Sequence, residues 1–214
     1  LLTTGCAPVT PPAAAPEGRR SGFDTMSPAL QAMQRDDAQN PAMLWAEDGA
    51  RLWRQPAGAA GRACADCHGD DAATSMRGVA ATYPAWDASS ARPIDLPGRV
   101  NACRVRHQRA EPLADEDDRL LALTAHLARA SRGLPWRAAQ PPPLDRWAAD
   151  GRRLWHTRLG QLNLSCAQCH DAHAGARLGG ATIPEAHPTG YPLYRLEWQA
   201  VGSLMRRLRG CLSG

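Results

Sequence analysis

The 214-residue chain twice places two cysteines and a histidine in the spacing Cys-x-x-Cys-His, at Cys64, Cys67 and His68 and again at Cys166, Cys169 and His170. Two thiols at this spacing can form thioethers with the vinyl groups of a porphyrin, and the following histidine supplies an imidazole nitrogen to its iron. The pentapeptide therefore predicts covalent c-type haem, one per copy, with His68 and His170 as iron ligands. A redox dithiol or half of a zinc ribbon needs only the cysteine pair. The immediate histidine in both copies argues against either.

A haem iron that only passes electrons takes a sixth ligand. Cys103 lies 35 residues after His68 and Cys211 lies 41 after His170, so each copy has one further cysteine at a similar distance. Both stand among arginines, in Asn101-Ala102-Cys103-Arg104-Val105-Arg106 and in Arg206-Arg207-Leu208-Arg209-Gly210-Cys211. Nearby guanidinium groups favour thiolate, the form that ligates metal and attacks sulfur. Cys103 and Cys211 are thus candidate distal ligands, and a Cys103–Cys211 disulfide is the alternative use of the pair in an oxidising compartment. Met76 follows His68 too closely to cross the ring plane, and Leu178 stands in its place 102 positions on. Met205 falls on the apolar side of a predicted helix, where packing is the ordinary role. His107 and His126 remain as other distal candidates.

These side chains need elements to hold them. Asp48-Gly49-Ala50-Arg51-Leu52-Trp53 recurs 102 positions later as Asp150-Gly151-Arg152-Arg153-Leu154-Trp155, and the same offset superposes the two haem motifs. Tandem duplicated cytochrome c units are expected, in a mainly α fold with extensive irregular loops. Trp45, Gly49, Leu52 and Trp53 share a helix face, as do Trp147, Gly151, Leu154 and Trp155, so one helix should lead into each motif. Pro112 to Gly133 reads as a helix with acids Asp115 to Asp118 in its first turn. Tyr194, Trp198, Val201, Met205 and Leu208 have helical spacing and predict a helix just before Cys211. Pro141, Pro142 and Pro143 forbid regular helix and favour an extended connector. The expected organisation is a tail and lead-in at 1–40, a first unit at 41–135, a Pro-rich connector at 136–146 and a second unit at 147–214. After Cys211 only Leu212, Ser213 and Gly214 remain, so the second unit reads as truncated.

Composition agrees. With 18 prolines, 19 glycines and one phenylalanine, a side-chain core would be thin, and two haems would supply apolar surface in its place. Seven tryptophans suit packing against porphyrin. A net charge of +4, with arginines dispersed among acids except near the C-terminus, does not indicate nucleic-acid binding. No apolar run approaches the roughly 18 residues of a transmembrane helix. Cys6, in Leu1-Leu2-Thr3-Thr4-Gly5-Cys6, reads as the end of an export signal or the start of a lipid-anchored chain. Covalent haem attachment points to export and a periplasmic location.

The run Gly190-Tyr191-Pro192-Leu193-Tyr194-Arg195-Leu196-Glu197-Trp198-Gln199, followed by Ser203-Leu204-Met205-Arg206-Arg207-Leu208-Arg209-Gly210-Cys211, resembles the signature of the SoxA family. These are dihaem cytochrome subunits of the SoxAX complex of bacterial sulfur oxidation, and the likeness runs from about Trp45 to the last residue. It implies His/Cys ligation of both irons, here His68 with Cys103 and His170 with Cys211. It implies that Cys211 is the catalytic cysteine, found as a persulfide in the family, and that Arg207 lies in the active site. The implied activity is that of an L-cysteine S-thiosulfotransferase, oxidatively conjugating thiosulfate to a cysteine of a SoxYZ-like sulfur carrier. Electrons would leave through haem, partly on a SoxX-like monohaem cytochrome c partner in a heterodimer. Arg207, with Arg209 and with Arg195 or Arg206, would hold the sulfonate end of thiosulfate. The family pattern also places a further segment after the catalytic cysteine. A dihaem electron-transfer cytochrome without substrate chemistry is the rival reading.

Haem staining of denaturing gels and intact mass should give two covalent haems. Replacing both Cys166 and Cys169 by alanine should leave one.

Overall fold

The structure, a computed structural model, describes residues 20–139 and 141–213. Cys6 and the expected tail up to residue 19 lie outside the described residues. Helix α1 (Pro28–Arg35) is followed by α2 (Ala42–Arg54), the motif helix α3 (Ala65–His68) and the single turn α4 (Ala72–Ser75). The hairpin β1 (Ala85–Asp87) and β2 (Arg92–Ile94) leads into α5 (Leu96–Cys103), which continues as a π-helical turn over Arg104–Gln108. Helix α6 (Asp118–Arg129) comes next, and after the proline segment α7 (Asp145–His156) and the second motif helix α8 (Cys166–His170). Two hairpins, β3 (Arg177–Leu178) with β4 (Ala181–Thr182) and β5 (Leu193–Arg195) with β6 (Ala200–Gly202), precede α9 (Leu204–Leu212). All sheets among the described residues are two-stranded and antiparallel. The fold is mainly α, as expected.

The core forms where α2 crosses α6. Trp53, Ala72, Leu96, Val100, Leu113, Leu120, Leu123 and Leu127 make one buried cluster, with Leu52, Cys64, Met76 and Tyr83 packed on its margin. Gly49 permits the crossing, because a Cβ there would stand 2.1 Å from the Ala122 carbonyl oxygen and 2.7 Å from His126 Cβ. Its backbone freedom costs helix propensity, and close packing offsets that cost.

Three expectations need correction. The helix expected from Pro112 begins only at Asp118, with Asp117 as its cap. Upstream, the Asn101 side chain binds the Leu113 N–H and carbonyl, each at 2.9 Å, and Glu116 has φ +63°, so tertiary contacts hold this stretch out of helix. The helix expected through Tyr194 and Val201 is a hairpin, in which these two residues are cross-strand partners. Ser203 caps the true helix by accepting from Arg206 N–H at 3.1 Å, and Cys211 lies within that helix. Apolar spacing alone could not separate the hairpin from the helix that follows it. The proline segment is not wholly extended, since Pro142–Leu144 form a 3₁₀ turn leading into α7. It is anchored by the Arg137 N–H on the Ala81 carbonyl at 2.7 Å and by Trp136 Nε1 on the Tyr83 carbonyl at 2.6 Å.

The two helices that lead into the motifs, α2 and α7, differ in their packing. Helix α7 buries no residue, and Trp147 and Leu154 are 38% and 55% exposed. The C-terminal segment rests instead on the first half. Trp45 and Tyr194 lie 6.2 Å apart, Ser203 donates from N–H and hydroxyl to the Glu116 carboxylate, and Arg209 pairs with Asp115 at 2.9 Å.

Gly49→Ala should destabilise the folded protein by about 2–3 kcal/mol, since overpacking at backbone contact outweighs the gain in helix propensity. Chemical denaturation followed by far-UV circular dichroism would measure it.

Candidate haem and thiol sites

Each haem motif sits on a short helix with a tryptophan beside its histidine. In α3, Cys64 is the residue before the first turn, and Cys67 and His68 fall within it. Trp53 Nε1 donates to the Gly69 carbonyl at 2.9 Å, and the Trp53 ring lies 5.6 Å from the His68 ring at 36°. In α8, Ser165 and Gln168 form a reciprocal capping box that starts the helix at Cys166. The Trp155 ring lies 5.8 Å from His170 at 33°, and Trp155 Nε1 donates to Asp171 Oδ2 at 2.9 Å. His170 Nδ1 stands 2.8 Å from the Pro184 carbonyl oxygen. A carbonyl can only accept, so Nδ1 carries the proton and the Nε2 lone pair is available for a metal.

The residues around the first motif fit haem. A recess is lined by Leu52, Cys64, Arg104, Gln108, Arg119 and Leu123 among others. Arg104 Nε and Gln108 Oε1 are buried there without a hydrogen-bond partner. Apolar walls beside an unanswered guanidinium N–H suit a macrocycle with an apolar face and carboxylate arms. Burial pushes the Cys64 thiol up, the Arg104 guanidinium opposes that, and the neighbouring Cys103 thiol adds to it. Cys103, at the end of α5, is therefore brought close to the first motif. Around the second motif Leu159, Leu162 and Leu164 are 42%, 67% and 44% exposed, an apolar surface of the kind a haem face covers. Cys103 and Cys211 are free, so the disulfide alternative is not formed.

A second cluster gathers around Cys211, which is exposed on α9 one turn beyond half-buried Arg207. Burial pushes the Tyr191 phenol up, against the pull of Arg195 and Arg207 and with the Cys211 thiol beside it. Burial also acts to raise the Glu197 carboxyl, but the hydrogen bond from Arg195 and the charge of Arg207 bring it below its ordinary value. The Arg195 to Glu197 contact is 2.5 Å. Tyr191, Arg195, Glu197, Arg207 and Cys211 thus share one locality. Arg206 lies 4.4 Å over the Trp198 ring, and Arg209 pairs with Asp115. Those two are committed elsewhere, whereas Arg207 forms no ion pair among the described residues.

Other expected candidates stand apart. Met76 packs on the core, Met205 is exposed, and His107 is exposed on the π-helical turn. His126 packs 6.1 Å from Trp53 in the α2–α6 contact. Sequence reasoning missed Tyr191 and Glu197 as neighbours of Cys211, and Asp87 near Cys103. The pair Tyr83-Pro84, repeated as Tyr191-Pro192 just ahead of each hairpin, was the available signal. Among the described residues no helix is long and apolar enough to cross a membrane.

A family model for the SoxA/TsdA cytochrome c domain matches residues 48–136. This makes the segment a c-type cytochrome domain, with covalently bound haem c. Over 96% of its length the chain is 37% identical to the L-cysteine S-thiosulfotransferase subunit SoxA of Pseudaminobacter salicylatoxidans, covering 73% of that protein. It is 33% identical to the corresponding subunit of Rhodovulum sulfidophilum, covering 90% of this chain and 67% of that one. The crystal structure of SoxXA from P. pantotrophus superposes with a TM-score of 0.86 at 28% identity, covering 91% of this chain and 73% of that chain. The chain belongs to the SoxA family.

The His126 imidazole is held below its ordinary value, chiefly by burial and then by Arg54 and Arg129. A depressed histidine contributes stability that is present above the unfolded value near 6.5 and lost as pH falls towards the folded one. Folding stability should therefore decline from pH 7 to pH 5, and His126→Gln should flatten that slope in denaturation curves taken across the range.

Proposed function

We propose that this chain is an L-cysteine S-thiosulfotransferase subunit that conjugates thiosulfate to a cysteine of a SoxYZ-like carrier, in the periplasm and in complex with a SoxX-like monohaem cytochrome c. The observation that carries the reading is Cys211, exposed on α9 with Arg207 one turn before it and Arg195 and Tyr191 alongside. The named relatives support it, as do the residues Tyr191 to Cys211.

The chain holds two haems in related units, 41–135 and 147–214, with a lead-in at 1–40 and a connector at 136–146. The offset of 102 between the motifs and the like disposition of Trp53 with His68 and Trp155 with His170 support the pairing. Cys64, Cys67, His68 and Cys103 would hold one haem, and Cys166, Cys169, His170 and Cys211 would hold the other. When bound, c-type haem accepts electrons one at a time.

Joining the sulfane sulfur of thiosulfate to a cysteine thiolate forms one S–S bond and releases two electrons. Arg207 binds the sulfonate oxygens through charge-assisted hydrogen bonds, and Arg195 adds positive charge beside it. Cys211 is the sulfur nucleophile or acceptor and can carry the sulfur as a persulfide.

Cys211→Met should retain covalent haem at Cys166 and Cys169 but lose thiosulfate-dependent turnover, because a thioether cannot form a persulfide. Arg207→Ala should lower kcat/KM roughly ten- to hundredfold, the equivalent of about 1.5–3 kcal/mol for a lost charge-assisted contact. Assays with the SoxX-like and carrier partners check both. Full turnover by Cys211→Met would move the electron-carrier reading ahead.

A further inference from the structure

The arginine four residues before the distal cysteine occurs in both halves, as Arg99 before Cys103 and Arg207 before Cys211. Each sits on a helix that follows a hairpin, α5 after β1–β2 and α9 after β5–β6, and each helix is capped by a side chain, Asp95 or Ser203. What differs is the third residue of the first strand. In β1 it is Asp87, and in β5 it is Arg195.

Asp87 is 4% exposed and answers two of the three arginines near Cys103 in sequence, Arg99 and Arg106, while Arg104 lines the recess of the first motif. Its Oδ1 meets Arg99 at 3.1 Å and its Oδ2 meets Arg106 at 3.2 Å. The Ser89 and Ser90 hydroxyls donate to the same carboxylate at 2.7 Å each. A carboxylate so surrounded stays ionised, and the serine hydroxyls are the first cause of that, ahead of Arg106. At the other centre, Arg195 occupies the corresponding strand position and no carboxylate pairs with Arg207 among the described residues.

We propose that Asp87 is a specificity-determining residue that masks an anion site at Cys103, so that thiosulfate-like dianions are received only beside Cys211. This rests on the functional reading above, since it takes Arg207 as the substrate-binding arginine and Cys103 as a distal ligand. A buried carboxylate presents negative charge where a sulfonate would dock and occupies the guanidinium donors it would need. The first centre is then left to electron transfer alone. Replacement of aspartate by arginine at the same strand position leaves Arg207 without an ion pair among the described residues, because the carboxylate at this centre, Glu197, is taken by Arg195 at 2.5 Å.

Electron paramagnetic resonance of the holo-complex distinguishes two thiolate-ligated centres and can be followed during titration with thiosulfate. In Asp87→Asn, which keeps the size and the acceptor oxygen, the Cys103 centre should become responsive to thiosulfate, and the added Arg99→Ala should abolish the response. A Cys103 centre that stays silent in folded, haem-loaded Asp87→Asn overturns the proposal. The reciprocal change, Arg195→Asp, should pair with Arg207 and raise the thiosulfate concentration needed at the Cys211 centre at least about tenfold beyond the effect of Arg195→Asn. Equal effects of the two substitutions would also overturn it. Failure of the functional reading shows separately, as a wild-type Cys211 centre that does not respond to thiosulfate, and in that case a first centre unmasked in Asp87→Asn would still support the masking.

Discussion

The near-contact of α2 with α6 at Gly49 is the constraint on which the remaining structure depends. With no Cβ at that position the two helices meet backbone to backbone, which buries Trp53 and the leucines of α6 in one cluster. Trp53 then has a fixed orientation, and its indole N–H ties down the carbonyl just after the first haem motif. The motif helix α3 is too short to be stable alone and takes its position from this side chain. Helix α5, packed on the same cluster through Leu96 and Val100, brings Cys103 close to Cys64.

The second half shows what happens without such a contact. Helix α7 repeats the glycine and the tryptophan, yet among the described residues nothing crosses at Gly151, where an added Cβ would meet no atom within 4 Å. The local order around α8 comes from polar devices instead: the Ser165–Gln168 capping box, the Trp155 bond to Asp171, and the His170 bond to Pro184. These orient side chains without burying much apolar surface. The proposed second haem and a protein partner would supply the missing burial.

Much of the chemistry was legible in the sequence, because covalent attachment fixes residue type and spacing together. The helices leading into the motifs were legible for the same reason, through the repeated Trp-rich face. The hairpin at 193–202 was not, since Tyr194, Trp198 and Val201 have a spacing that a helix would also give. Cross-strand pairing is a tertiary fact, and the local markers were the Tyr191-Pro192 pair ahead of the hairpin and Ser203 as the cap of the helix after it. The start of α6 failed likewise, because Asn101 holds Leu113 from twelve residues away. The Arg-rich approach to Cys211 was visible as composition, but its division into Arg206 on Trp198, Arg209 on Asp115 and an open Arg207 was not.

The Ser203 hydroxyl serves two masters. It accepts from the Arg206 N–H to begin α9 and donates to the carboxylate of Glu116, a residue of the first half held at positive φ. The starting point of the helix that presents Cys211 is thus set by a loop some ninety residues earlier in the chain, by the measure of the 87-residue separation. Lengthening or shortening that loop would move the Cys211 thiol even though both haem motifs were untouched. A change of length at this seam is for that reason never local to one half: it resets the point at which the last helix of the other begins.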